Sequence, residues 1–565
     1  MEKRIVECVP NFSEGRDKAV IGRIVSAIET SGGVKVLDVD PGEATNRTVV
    51  TFVGSPEAVV EAAFAGVKKA AELIDMRKHK GAHPRMGATD VLPLIPIAGI
   101  TLEECAELAR KLAERIAGEL HVPTYCYEAA AFTPRRRNLA VCREGEYEAL
   151  PEKLAHEESA PDFGARPFDD GVARTGATTV GARDFLIAVN FNLNTTSTRR
   201  ANAIAFDVRE KGRPVREGNP ITGKVVRDAD GNPLMRPGTL RATKAIGWYI
   251  EEYGIAQVSM NITDIAVTPL HVAFDEVCRK ADARGVRVTG TEIVGLVPKR
   301  ALLEAGRYFL RKQRRSAGIA EEEIVRIAVK SMGLDDLKPF DPKEKVIEYL
   351  LEAEGQKKRL IDMTCKGFAE ETASESPAPG GGSIAAYMGA LGAALGTMVA
   401  NLSSHKAGWD DRWEEFSGWA ETGQALLREL LHLVDEDTAA FNRIMAVFAM
   451  PKSTDEEKAA RSAALQAATL YATQVPLRTM KTAFEVFAIV RAMAAEGNPN
   501  SVSDAGVGAL AARSAVLGAC LNVKINAAGL KDRAAADALV AEANSVAAAA
   551  ERAEREVLEI VERKI

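Results

Sequence analysis

The strongest constraint on this chain is a change of texture near Leu360, where strand signals stop and helical ones take over. Up to about residue 330, short β-branched runs alternate with amphipathic stretches of helical period, the pattern of α/β or α+β domains. Strand candidates are Val34 to Val39, Thr48 to Val53 and Val91 to Ile97. Pro56 to Ile74 and Thr101 to Leu120 carry the helical period with Glu and Lys outside. A second set follows: a strand at Phe185 to Phe191, a helix from Ser197, a strand at Ala256 to Met260, a helix at Pro269 to Arg284, and a strand at Val286 to Val294. VECVPNFSEG and IAVNFNLNTT, each a strand running into an Asn-containing turn, open the two sets and hint at similar subdomains. Beyond Leu360, segments such as Ala534 to Val557 are dominated by Ala, Glu and Arg at helical spacing. The expected architecture is an α/β (α+β) half of two subdomains, 1–185 and 186–351, then a linker, 352–359, and an all-α helical bundle, 360–565.

A length of 565 residues exceeds what one hydrophobic core serves. A net charge of −6 with 46% hydrophobic residues gives no overall nucleic-acid signature, so partners must be argued from sites. The seven cysteines are scattered and without a CxxC pair, which speaks against zinc clusters and disulfide frameworks and for a reducing cytoplasm. MEKRIVECVPNFSEG lacks the apolar stretch of a secretory signal. Ser383 to Leu402 reaches membrane-spanning length with Gly392 and Gly396 at GxxxG spacing, but its Gly and Ala equally suit close packing in an alanine-rich bundle, which is the expectation.

Three regions could carry chemistry. The loop RKHKGAHPRMGATD, 77–90, places two of the chain's seven histidines among basic residues between a helix and a strand. Pro84 biases His83 toward an extended backbone, and imidazole suits proton transfer near neutrality; a surface histidine in a basic turn is the competing reading. Basic runs at Arg135 to Arg137 and Arg209 to Arg213 could meet ligand carboxylates or be solvated faces. Asp38, Asp40 and Gly42 do not make a calcium loop, because the glycine is one place early and Val49 stands where the bidentate Glu belongs. PGGGS, 379–383, precedes a helix, so its backbone N–H groups could cradle a polar ligand; it is neither a Walker motif nor GxSxG.

In ALLRELLHLVDEDTAAFNRIMAVF, steps of three and four give Leu427, Leu430, Val434, Asp437, Phe441, Ile444 and Phe448, an inward stripe with one carboxylate inside it. A buried carboxylate is costly unless hydrogen-bonded or neutralised, so Asp437 marks either a structural partner or a functional pocket. Asp435 points elsewhere on the helix and reads as a solvated acid.

DVDPGEATNRTVVTFVG, RKHKGAHPRMGATDVLPLIPI, GEYEALPEKL, GARDFLIAVNFNL, KAIGWYIEE, AQVSMNITD and IVGLVPKRALLEA closely resemble glutamate formimidoyltransferases. SPAPGGGS, LGAALGTMV, VDEDTAAF and LNVKIN resemble the formimidoyltetrahydrofolate cyclodeaminase module. The resemblance implies a bifunctional folate enzyme of histidine degradation. Its reactions would be formimidoyl transfer from N-formimidoyl-L-glutamate to tetrahydrofolate, then ring closure to 5,10-methenyltetrahydrofolate with loss of ammonia. It places the transferase acid/base on His83 and the cyclodeaminase acid/base on Asp437, and it requires no metal. The folate contacts it implies fall on Gly164, Ala165, Arg166, Pro167, Phe168, Asp169, Asp170, Gly171, Val172 and Ala173, on Asp207, where an asparagine is common in the family, and on Val288 beside Gly290. Gly380, Gly381, Gly382 and Ser383 are the corresponding candidates in the second module. The resemblance further implies a polyglutamylated folate co-substrate and a homo-oligomer, a ring of dimers. The nearest alternative is formyl transfer from formyl-glutamate joined to a methenyltetrahydrofolate cyclohydrolase.

Overall fold

The computed structural model describes residues 4–42, 46–81, 84–165, 167–219, 222–354 and 359–565, the side chains of 352–354 excepted. His83 and Arg166 therefore lie outside the described residues. The chain divides into two compact units, Met1–Ala301 with Met332–Leu350, and Leu302–Ser331 with Leu351–Ile565.

The first unit holds two large sheets and a two-stranded one. In the seven-stranded one, β1 (Ile5–Cys8) and β2 (Asn11–Phe12) both run antiparallel to β4 (Arg47–Gly54) on one side and β5 (Thr89–Ala98) on the other. β3 (Val34–Gly42) is antiparallel to β4, and β5, β7 (Thr178–Ala182) and β6 (Thr124–Glu128) pair in parallel. Val6, Cys8, Val50, Phe52, Leu92 and Leu94 alternate along these strands. They are buried with Ile24 and Ile28 of the Lys18–Thr30 helix, Val59 and Val67 of the Pro56–Leu73 helix and Leu112 of the Leu102–Leu120 helix. Thr101 closes a capping box with Glu104, which fixes where the last of these helices begins.

The second sheet is wholly antiparallel, in the order β11 (Thr243–Ile250), β12 (Ile255–Ile262), β8 (Ile187–Leu193), β13 (Val288–Val294), with a small hairpin of β9 (Arg213–Pro214) and β10 (Met235–Arg236) beside it. Every second residue of β8, from Ile187 to Leu193, is fully buried, as are Ala201, Ile204 and Ala273 of the Thr198–Val208 and Leu270–Asp282 helices. Asn190 and Asn192 point to the opposite face, where Gln257 reaches Asn192 at 2.8 Å. The order β11-β12-β8-β13 repeats the antiparallel order β3-β4-β1/β2-β5 of the first sheet, with one helix after the opening strand and one before the last strand in each, so the likeness hinted at by the opening motifs extends to the topology; the first sheet adds β7 and β6 in parallel.

The second unit is helical. Five long helices, Gly381–Ser404, Trp413–Phe448, Asp455–Glu496, Val502–Ala527 and Arg533–Glu562, share one core of Leu430, Val434, Met480, Ile489, Val516 and their neighbours. Each such large aliphatic side chain contributes about 1.5–3 kcal/mol by leaving water. Gly381–Ser404 and Pro499–Ala527 are long and apolar enough to cross a membrane, yet 61% and 50% of their most apolar windows are buried inside the protein. The glycines explain why: a β-carbon on Gly392 would come within 2.9 Å of the Gly508 carbonyl oxygen, so the small residues serve helix contact within the bundle. The segment 302–331 packs with the bundle, Gly318 lying against Ala420 and the Ala317 N–H donating to Ser417 Oγ at 3.1 Å.

Candidate functional sites

The 77–90 loop is fastened by a histidine, and that histidine is His79. Its imidazole is buried; Nε2 lies 2.8 Å from the Asn46 carbonyl oxygen, and Arg85 Nε donates to Nδ1 at 3.4 Å. Nδ1 is thus an acceptor and Nε2 a donor, the neutral tautomer. Asn46 ties the same loop again, its amide donating to the Lys80 carbonyl at 3.1 Å while its side-chain oxygen accepts the Gly15 N–H at 3.0 Å. Arg85 then bridges to Glu146 at 3.1 Å and Glu148 at 2.7 Å. Lys80, Gly81, Arg85, Gly145, Glu146 and Glu148 line a cavity of about 540 Å³ beside this loop.

Below the loop, Asp90 is buried and saturated. It accepts the Met86 N–H at 2.9 Å and takes Arg47 at 2.7 Å and Arg143 at 2.8 Å. Glu7, on β1, is 1% exposed, and its Oε2 has no hydrogen-bond partner among the described residues. Burial pushes its carboxyl up to about 7 against the opposing pull of Arg183, with Glu348 adding to the rise.

Most of the described residues of the 164–173 segment lie on the surface of this subdomain. Gly164 has a φ of +74° and leans on Ala117; Ala165, Pro167, Asp170 and Gly171 are exposed. Phe168 meets the edge of Tyr147 at 6.3 Å, and Asp169 caps the short Asp170–Thr175 helix by accepting the Val172 N–H at 3.0 Å. Val172 is wholly buried, and the Ala173 carbonyl accepts the Tyr147 hydroxyl. Asp207 lies in the other subdomain, its two oxygens taken by Arg213 and Arg284. Val288 opens β13 opposite Leu193. The basic runs are largely engaged internally: Arg136 holds Asp162 at 2.6 Å, and Arg209 lies over the Phe206 ring at 3.9 Å.

In the bundle, the expected PGGGS and VDEDT motifs meet. The Ser383 hydroxyl is 2.9 Å from the Val434 carbonyl oxygen, 3.1 Å from Asp437 Oδ2 and 3.3 Å from Thr438 Oγ1. Burial raises the Asp437 carboxyl above the usual carboxylate range, while the Ser383 hydroxyl and N–H work in the opposite direction. A β-carbon on Gly382 would overlap Asp437 Oδ1, and one on Gly381 would approach Asn522 at 3.6 Å. Asn522 was not singled out from the sequence. Its spacing of four from Asn526 within LNVKIN, both on one helix face, is the signal that would have found it.

Two sequence expectations are corrected here. The buried face shifts after Asp437: Leu430 and Val434 are buried, but Phe441 is 40% and Phe448 54% exposed, while Ala440 and Val447 take the inward positions. Asp435 is not a solvated acid; its Oδ1 accepts the Leu360 N–H at 2.7 Å, and its Oδ2 is buried with no hydrogen-bond partner among the described residues.

Three family descriptions match successive parts of the chain. They are "Formiminotransferase domain, N-terminal subdomain" over residues 5–183, "Formiminotransferase domain" over 188–352, and "Formiminotransferase-cyclodeaminase" over 364–545. Formimidoyltransferase-cyclodeaminase of Mus musculus is 44% identical over 94% of this chain and 93% of its own length. Glutamate formimidoyltransferase of Streptococcus pyogenes is 42% identical over 54% of this chain and 93% of its own. Methenyltetrahydrofolate cyclohydrolase of Methylorubrum extorquens is 39% identical over 36% of this chain and 97% of its own. With matches of this extent to both halves in order, the chain belongs to the formimidoyltransferase-cyclodeaminase family.

Proposed function

We propose that this chain carries a formimidoyl group from N-formimidoyl-L-glutamate to N5 of tetrahydrofolate, releasing glutamate, and then closes the product to 5,10-methenyltetrahydrofolate, releasing ammonia. The observation that carries the reading is the match along almost the whole length of a relative bearing both activities in its name. His83 is the transferase acid/base: the folate nitrogen sheds a proton as it attacks the amidine carbon, the glutamate nitrogen gains one as it leaves, and a single imidazole serves both. His79 and Arg85 hold the loop that bears it. In the second step N10 attacks the same carbon intramolecularly, so the bundle supplies near-attack geometry while Asp437 takes the N10 proton or delivers one to the departing ammonia. Neither step calls for a metal.

In the transferase half folate would lie along 164–173, Val288 and the arginines that Asp207 holds; in the cyclodeaminase half, a site of its own would be formed at Gly380 to Ser383. The proposed functional modules run 1–185, 186–351 and 360–565, joined by 352–359. A cytoplasmic setting fits seven free cysteines. Assembly with further copies in a ring of dimers fits exposed apolar side chains such as Leu521 at 68% and Ile525 at 73% on the Val502–Ala527 helix.

The test is methenyl-folate absorbance from formimidoyl-glutamate and tetrahydrofolate, with glutamate and ammonia assayed separately, for the wild type, His83→Ala and Asp437→Ala. Glutamate without ammonia from the Asp437 variant, and neither product from the His83 variant, is the expected result. Wild-type silence on this donor would sink the reading. A second reading, formyl transfer with cyclohydrolase activity, is favoured by the likeness of the bundle to the Methylorubrum enzyme. Formyl-glutamate and methenyl-folate as separate substrates distinguish it.

A further inference from the structure

Ser383 was expected to touch a ligand; its surroundings give it a different task. Its side chain is completely buried, and its hydroxyl oxygen stands between the Val434 carbonyl, Asp437 Oδ2 and Thr438 Oγ1. A hydroxyl has one proton to give and two lone pairs to accept with, whereas a carbonyl only accepts and a carboxylate oxygen accepts unless it is protonated. When Asp437 carries a proton on Oδ2, that proton points at Ser383 Oγ and the serine's own proton goes to Val434. When Asp437 is ionised, the serine proton turns to Oδ2. Val434 loses nothing essential, because its carbonyl is also the acceptor of the helical i to i+4 bond in an unbroken helix. The Ser383 N–H adds a second, constant donor to the carboxylate.

We propose that Ser383 is a positioning residue for the cyclodeaminase step: by rotating one O–H bond it holds the Asp437 carboxyl in the same place in both protonation states. Proton exchange at Asp437 then requires no movement of a heavy atom, the preorganisation a proton-transfer group needs. The inference rests on the reading of Asp437 as the acid/base of that step. Charged groups on the neighbouring helices are engaged away from it: Glu436 with Tyr471 and Arg443, Arg478 with Glu429, Arg359 with Asp362, and Asp435 with the Leu360 N–H. Lys524, on the fourth bundle helix, is exposed. Among the described residues, the influences acting on Asp437 are burial and Ser383.

The experiment uses the full chain with 5-formimidoyltetrahydrofolate, following ammonia release from about pH 5 to 9 in the wild type, Ser383→Ala, Ser383→Cys, Asp437→Asn and the double variant Ser383→Ala with Asp437→Asn. In Ser383→Ala the acid limb of kcat/KM moves to higher pH, because the ionised carboxyl has lost a donor, and kcat falls roughly 10- to 100-fold. Ser383→Cys, nearly the same size with a weaker hydrogen-bonding group, shifts the limb in the same direction by less. The double variant is no slower than Asp437→Asn alone, since Ser383 acts only through Asp437. An unchanged acid limb in both serine variants, or losses that multiply in the double variant, would overturn the proposal. Full ammonia release by Asp437→Asn would instead overturn the reading of Asp437 on which it stands. Glutamate release by the transferase half and helical circular dichroism identify a variant that fails to fold; if Ser383→Ala does so, the pH limb of Ser383→Cys decides.

Discussion

Gly382 lies so close to Asp437 that a β-carbon on the glycine would overlap Oδ1 of the carboxylate. Asp437 cannot retreat, because Ser383 grips its other oxygen at 3.1 Å. Gly382→Ala is therefore expected to displace the carboxyl and to lower ammonia release by about 100-fold, the order of loss that a displacement near 1 Å causes. Glutamate release continues. Steady-state assays of both products check this, and near-normal ammonia release would show that the carboxyl has slack.

The raised carboxyl of Asp437 also makes a statement about stability. Burial favours its protonated form in the fold, so the stabilising contribution is fully present below the unfolded value of 3.8 and is lost as pH rises through the higher folded value. Asp437→Asn removes that loss. Thermal unfolding of the bundle is expected to move to higher temperature in the asparagine variant at pH above the folded value, with the difference vanishing in acid.

Glu7 follows the same sign with a larger reach. Its folded value near 7 stands above 4.5, so the fold is progressively penalised as pH rises from 4.5 through about 7. Glu7→Gln keeps the shape and sheds the penalty. The stabilisation above pH 7 is on the order of 3 kcal/mol at most, and urea midpoints at acid and alkaline pH measure it. Equal midpoints at both would refute it.

Asp207 is gripped by Arg213 and Arg284, both on the second subdomain of the transferase half. Asp207→Asn leaves two half-buried guanidinium groups facing a neutral amide and is expected to destabilise this subdomain by roughly 3 kcal/mol. If the aspartate acts on folate through these arginines, the KM for tetrahydrofolate rises as well. Isothermal titration with tetrahydrofolate separates the two effects.

Most of the strands and helices were legible because period-two and period-3.6 patterns are local: Thr48 to Val53 and Pro56 to Ile74 are in place to within a few residues. Thr243–Ile250 escaped the period because it lies at the sheet edge, where Ile246, Trp248 and Tyr249 stay exposed and the alternation is blurred.

The sequence by itself determined the order of the modules, an α/β half followed by helices, and drew attention to Asp437, since a carboxylate breaking an apolar stripe is visible wherever the helix goes. It could not assign Ser383, Asn522 or His79. Ser383 lies 54 positions from Asp437, and His79 finds its carbonyl 33 positions away at Asn46. Period and propensity report how a residue meets its own helix or strand, whereas a hydrogen bond between elements depends on how those elements pack. Tertiary structure alone decided that the serine of PGGGS faces the acid and that a histidine of the basic loop is its fastening.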